Sequence, residues 1–154
     1  MTVLSGQTIR RLGIVMPCYD RTVHEGGMPY GLGPAGYDLT LDLGQEDTAY
    51  LTHSDRFCLA ATREQFFMPP NVVGTVHDKS TLARQGLSVF NTVIEPGWRG
   101  FLTLELAYNG TQPLRLSRGM PIAQVVFSFT DEVVERPYSG RYQDQGPGPQ
   151  GPRL

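Results

Sequence analysis

The chain has 154 residues, a hydrophobic fraction of 40%, a charged fraction of 18% and a formal net charge of −2. That length suits one domain with a real core. The balanced charge excludes a general nucleic-acid footprint, and no apolar run approaches membrane-spanning length.

The first residues, MTVLSGQTIRRLG, lack the apolar core of a secretory leader. Cys18 and Cys58 lie far apart with no CxxC. A cytoplasmic protein with free thiols is therefore expected.

Ser5 followed by GQTIRRL predicts a short N-terminal helix with Ser5 as its N-cap. Residues 17–37, including HEGGMPYGLGPAGYD, read as loop. YDLTLDL alternates apolar and polar, the mark of a strand. RFCLAATREQFFMP predicts one or two strands ending at Pro69 and Pro70, and NVVGTVH predicts another. The polar stretch DKSTLAR interrupts before the strand GLSVFN. PGWRG reads as a turn, FLTLELAYNG as a strand, and NGTQP as a second turn. LRLSRG and PIAQVVFSF complete a set of many short strands with little helix. Sandwiches, jelly rolls and small barrels all fit this all-β pattern. Residues 138–154, YSGRYQDQGPGPQGPRL, carry little apolar surface. This tail is expected to be disordered, or ordered by a ligand or a neighbouring subunit.

Three features have the residue types for chemistry. In F-L-T-L-E-L, Leu102, Leu104 and Leu106 should share one strand face, with Thr103 and Glu105 on the other. Glu105 then either sits in water or enters a pocket, where burial would raise its pKa toward an acid/base range. Lys79, Ser80 and Thr81 offer an ammonium, hydroxyls and backbone N–H groups suited to phosphate oxygens, while Arg84 follows closely. A solvated turn is the alternative. Trp98 follows Gly97 in a turn, where an exposed indole would be costly without a ligand or interface. His24, His53 and His77 lack metal-ligand spacing, and no protein metal site is expected.

Several stretches together resemble one family. VHDKSTLARQGLSVFNTVIEPGWRGFLTLEL is similar to the core of deoxycytidine triphosphate deaminases, in the superfamily shared with trimeric dUTPases. The matching segments are KSTLARQGL, IEPGWRG and LE. GLGPAGYDLTLDLG, RLSRGMPIAQVVF and PYSGRYQDQGP resemble further family segments, colinear from about residue 4 to 147. The resemblance implies a distorted jelly-roll, dUTPase-like domain over residues 1–137 with a short N-terminal helix. It also implies a tail, 138–154, that folds over the nucleotide as a lid, and a homotrimer with sites at subunit interfaces.

By position, the resemblance gives Glu105 the role of proton shuttle and Ser80 and Arg84 the positioning of water and transition state. Lys79 and Thr81 would meet phosphates. Trp98 would pack on the deoxyribose, and the Thr92–Val93 hairpin would read the pyrimidine. Glu95 would stand at the acidic turn position. Tyr138, Arg141 and Gln145 would grip the triphosphate, and Mg²⁺ would ride on the nucleotide.

The reaction implied is zinc-independent deamination of dCTP to dUTP and ammonia. The sequence has no H-x-E with P-C-x-x-C, the zinc-deaminase signature. dUTP diphosphatase or bifunctional activity giving dUMP and pyrophosphate is the alternative, and a non-catalytic nucleotide-binding trimer is a third reading. Glu95 stands where the family usually has Asp, and KST replaces RSS. NTVIE is about two residues shorter than the family hairpin, which affects the register of whatever reads the base.

Overall fold

Alternating apolar residues and frequent turns produce fifteen short elements in the computed structural model, which describes residues 2–90 and 92–154. They are β1 (Thr2–Val3), α1 (Gly6–Leu12), β2 (Val15–Met16), β3 (Thr22–Val23), β4 (Pro29–Gly33), β5 (Gly36–Asp42), β6 (Thr48–Leu51) and β7 (Phe57–Phe67). There follow β8 (Val72–Asp78), α2 (Ser80–Ala83), β9 (Leu87–Val89), β10 (Val93–Ile94), β11 (Arg99–Tyr108), β12 (Leu114–Ser117) and β13 (Pro121–Phe129). Among the described residues, no helix is long and apolar enough to cross a membrane.

The main sheet runs β10-β8-β13-β5-β7-β11-β9, with β12 and β6 forming a separate ribbon. All named strand pairings are antiparallel. β5 is the pivot. Tyr37 to Thr40 register with β13, whereas Leu41 and Asp42 register with β7. The sheet therefore curls about β5 and encloses its own core, as expected of a distorted jelly roll. Tyr37, Leu39, Leu41, Phe66, Leu104, Leu106, Ile122, Val125 and Phe127 are fully buried there. Each such side chain contributes about 1.5–3 kcal/mol of burial free energy.

Two local expectations need correction, and one strand is more buried than its alternation suggests. The 17–37 segment is not all loop: it holds β3 and β4, whose glycines obscure the strand pattern. DKSTLAR is not an open turn, because Ser80–Ala83 form one helical turn with Leu82 buried as its anchor. The more deeply buried strand is β5. Asp38 and Thr40 are 3% and 4% exposed, so both faces are covered. Their polar atoms are matched: Lys79 Nζ lies 3.0 Å from Asp38, and Thr40 Oγ1 donates to Glu64 at 2.7 Å. Ser5 does occupy the N-cap of α1, but its carbonyl rather than its side chain receives Ile9 N–H, at 3.0 Å.

Candidate active site

The site starts at the PGWRG turn that launches β11. Gly97 has φ 84° and Gly100 φ 149°, both in the region that favours glycine. Their missing side chains also leave room for the chain's tail. A Cβ on Gly97 would meet Pro137 Cβ at 2.5 Å, and one on Gly100 would meet Gln145 N at 2.8 Å. Through these gaps residues 138–145 lie directly on the turn.

The contacts are dense. Tyr138 N–H donates to Pro96 O at 2.8 Å, and Gln143 Nε2 donates to Gly97 O at 3.0 Å. Arg99 pairs with Asp144 at 2.5 Å. Gln145 is 5% exposed and forms a parallel bridge with Gly100. Its Nε2 donates to Phe101 O at 2.8 Å and to Thr103 Oγ1 at 3.0 Å, and Gln150 N–H donates to the same hydroxyl at 3.1 Å. The tail expected to await a ligand or neighbour is thus ordered against its own chain.

Trp98 is consequently covered rather than exposed. It is 5% accessible, packs 6.0 Å from Phe66, and donates Nε1–H to Tyr142 O at 2.7 Å. The buried indole N–H has the partner it requires.

Above this turn β11 contains a register irregularity. Phe101 faces Gln65, yet Thr103 faces Ala61. The surplus residues bulge from β7, where Thr62 Oγ1 receives Leu102 N–H at 3.0 Å and donates to Glu64 O at 2.8 Å. Leu102 therefore does not share the full burial of Leu104 and Leu106, and it lines the same cleft as Thr103 and Glu105.

That cleft has a volume of about 450 Å³. β10 and its turn contribute Thr92, Val93 and Glu95, and Leu59 comes from β7. Trp98, Leu102 and Thr103 line it from the start of β11, with Tyr138, Tyr142 and Gln145 from the tail. Glu105, opposite Leu59, projects from mid-β11 into this largely apolar lining. Partial burial raises its carboxyl above the ordinary value of 4.5. No salt bridge among the described residues involves it. A carboxyl so placed can carry a proton, and the cleft has the shape and lining to take a flat, partly apolar ligand.

The structure brings together Glu105, Thr92, Val93, Glu95, Trp98, Tyr138 and Gln145. It does not bring Ser80, Thr81 or Arg84 to them. These three are exposed on and beside α2 and do not line the cleft. Lys79 is held by Asp38. Arg141 sits on the tail beside Tyr142, with Nη1 on Arg153 O at 2.9 Å. Sequence reasoning passed over Tyr142 and Gln150, set Thr103 beside Glu105 without a site role, and gave Leu102 to the opposite face. Tyr142 carried a signal, since it stands inside GRYQDQ between the singled-out Arg141 and Gln145. Among the described residues, no group of three or more His, Cys, Asp or Glu side chains could hold a metal ion. Among the described residues, Glu95 and Glu105 are the only acids lining the cleft.

The fold agrees with comparisons to known proteins. The family model described as dCTP deaminase-like matches residues 40–130. The chain is 35% identical over 115 residues to the dCTP deaminase of Halorubrum lacusprofundi, covering 71% of this chain and 56% of that protein. It is 31% identical to the "dCTP deaminase, dUMP-forming" of Methanopyrus kandleri, covering 97% of this chain and 95% of the relative. The crystal structure of 2'-deoxycytidine 5'-triphosphate deaminase from Agrobacterium tumefaciens superposes with a TM-score of 0.66 at 18% identity. That match covers 84% of this chain and 48% of the other. The chain belongs to the dCTP deaminase-like family. It spans little more than half the length of several curated relatives it matches, 51% to 59%.

Proposed function

We propose that the chain is the subunit of a hydrolase that deaminates dCTP at C4, releasing ammonia. The observation that carries this reading is the partly buried Glu105 carboxylate, raised in pKa, facing a cleft floored by Trp98. Glu105 takes a proton from the attacking water as the C4–O bond forms. It returns the proton toward N3 and the leaving amine as the C4–N bond breaks. Thr92 and Val93 face the pyrimidine, Trp98 supports the deoxyribose, and Tyr138, Arg141 and Gln145 hold the phosphates. Magnesium would neutralise the triphosphate. The sparse acids of the cleft fit a cation carried by phosphate oxygens better than a protein cage.

Ser80, Thr81 and Arg84 belong to this reading through a neighbouring subunit. They are exposed and outside their own chain's cleft, which is compatible with a homotrimer whose sites straddle interfaces. There Arg84 would stabilise developing charge and Ser80 would orient water.

A second reading, continued hydrolysis to dUMP and pyrophosphate, draws on Glu95 in the same cleft and on the dUMP-forming relative. Incubation with dCTP and Mg²⁺ tests both. The first reading expects ammonia and dUTP in equal amounts; the second expects ammonia, dUMP and pyrophosphate, with Glu95→Gln stopping at dUTP. Undiminished ammonia release by Glu105→Gln would remove Glu105 from the mechanism.

A further inference from the structure

One buried acid has no part in the reaction proposed above. Glu64 is fully buried in β7, and no salt bridge among the described residues involves it. Burial pushes its carboxyl above the ordinary value of 4.5, against the opposing effect of hydrogen bonds from Thr40. A carboxyl enclosed without a cation costs free energy, and the offsetting effect to look for is the conformation it enforces.

Its partners identify that conformation. At the pivot of the sheet, between Thr40 and Leu41, β5 passes from β13 to β7. There Thr40 Oγ1 donates to Glu64 Oε1 at 2.7 Å, and Thr40 N–H donates to Glu64 Oε2 at 3.0 Å. The Glu64 carbonyl receives the Thr62 hydroxyl at 2.8 Å, and Thr62 Oγ1 in turn receives Leu102 N–H at 3.0 Å. Thr40, Thr62 and Glu64 are all buried. A chain of hydrogen bonds, continuous through Glu64, thus runs from the pivot across the bulge to Leu102 on the cleft wall.

The bulge decides where Glu105 stands. Below it Phe101 faces Gln65; above it Thr103 faces Ala61 and Glu105 faces Leu59. Residues 62–64 of β7 therefore span the interval that Leu102 spans alone. Continued without the surplus pair, the lower register would set Glu105 opposite Ala61, two places and roughly 7 Å along β7. An even offset keeps Glu105 on the same face of its strand but changes its neighbours. Leu59 lines the cleft, whereas Ala61 is fully buried outside it.

We propose that Glu64 is a positioning residue: with Thr40 and Thr62 it clips the β7 bulge in place and so sets the register that presents Glu105 to the cleft. This rests on the reading of Glu105 as proton carrier in dCTP deamination. It adds to that reading residues that do not line the cleft themselves.

Four variants test the clip. Glu64→Met removes the acceptor oxygens at similar size, and Glu64→Gln keeps one of them. Thr62→Val removes the hydroxyl at nearly constant shape, and Thr62→Ser keeps it. Each is compared with the unaltered chain by dCTP turnover, by melting temperature and by carbon-13 NMR titration of the Glu105 carboxyl, assigned by its loss in Glu105→Gln. Glu64→Met and Thr62→Val are each expected to lower kcat about 10²-fold with KM within about twofold, the usual effect of a small misplacement at the reacting group. Their Glu105 carboxyl should titrate closer to 4.5 than that of the unaltered chain. Thr62→Ser should restore both readouts, and Glu64→Gln should restore part. If Glu64→Met does not fold, the Thr62 pair decides. A lowered melting temperature with parental kcat and an unmoved Glu105 titration, in either Glu64→Met or Thr62→Val, would reduce the clip to a structural fastening and overturn the proposal. A loss in Thr62→Val that Thr62→Ser does not restore would overturn it too. If the unaltered chain releases no ammonia from dCTP, yet the Glu105 titration moves in Thr62→Val and returns in Thr62→Ser, the clip stands and the deaminase reading falls. Normal deamination by the unaltered chain with neither readout moved in the variants would do the reverse.

Discussion

Glu105 combines a place in the cleft with a cost to the fold. Burial favours its neutral form, so its folded pKa lies above its unfolded one. The stabilising effect of the protonated side chain is then complete below the ordinary value of 4.5. It is lost as pH rises through the raised folded value. Glu105→Gln keeps the shape and removes that loss. The variant is expected to melt at a higher temperature than the parent at pH 8, with the gap closing at pH 4, by scanning calorimetry. Its deamination rate should fall by roughly 10²–10⁴-fold, the usual worth of a positioned proton carrier. The parent's kcat/KM should lose activity on the acid side with an apparent pKa above 4.5. A melting gap independent of pH would place Glu105 in water. Alternation in FLTLEL identified the side of the strand that Glu105 occupies, but alternation is blind to what faces that side. The cleft wall comes from Leu59 and Thr92–Glu95, remote in sequence and brought near by the sheet.

At the scale of elements, the tail and the PGWRG turn act as one unit. Turn chemistry was legible from Pro96 and Gly97, and most strands could be placed by their alternation. That Gln145 would seat on Gly100 was not legible, because no local pattern encodes a contact across forty-five positions. α2 was hidden for a related reason. Its four residues carry no side-chain cap bond, and only the burial of Leu82 makes them helical. Gly100→Ala tests the unit. Its Cβ would press on Gln145 N and O at 2.8 and 2.9 Å, against a φ that disfavours any side chain. The tail is expected to lift, at a cost of about 1–3 kcal/mol in stability. Trp98 emission should shift to the red, and amide exchange should quicken at Phe101 and Asp144, whose N–H groups the docked tail secures. KM for the nucleotide should rise with the tail's detachment. Unchanged emission would mean that the tail docks without the Gly100 gap.

At the scale of the whole molecule, the residues read as one catalytic set fall into two places on one chain. Glu105 lines a cleft, while Arg84 is exposed beside α2 and outside it. Phe57 and Phe90, each two residues from the cleft-lining Leu59 and Thr92, lie with centroids 6.1 Å apart, 49% and 55% exposed, and Val93 is 54% exposed. Apolar surface of this kind favours cover by another copy of the chain. Mixing experiments discriminate a shared site from a private one. Arg84→Gln and Glu105→Gln should each be nearly inactive alone. Co-refolded in equal amounts, they produce sites that combine Glu105 of one chain with Arg84 of its neighbour. Random assembly of a cyclic trimer makes about a quarter of the sites intact, so about a quarter of parental activity should return, and dilution below the association range should abolish it. If Arg84 served its own chain's cleft, no mixture would recover activity, because every site would lack one of the two groups. The recovered fraction therefore measures directly whether the polar stretch around α2 completes a neighbour's chemistry.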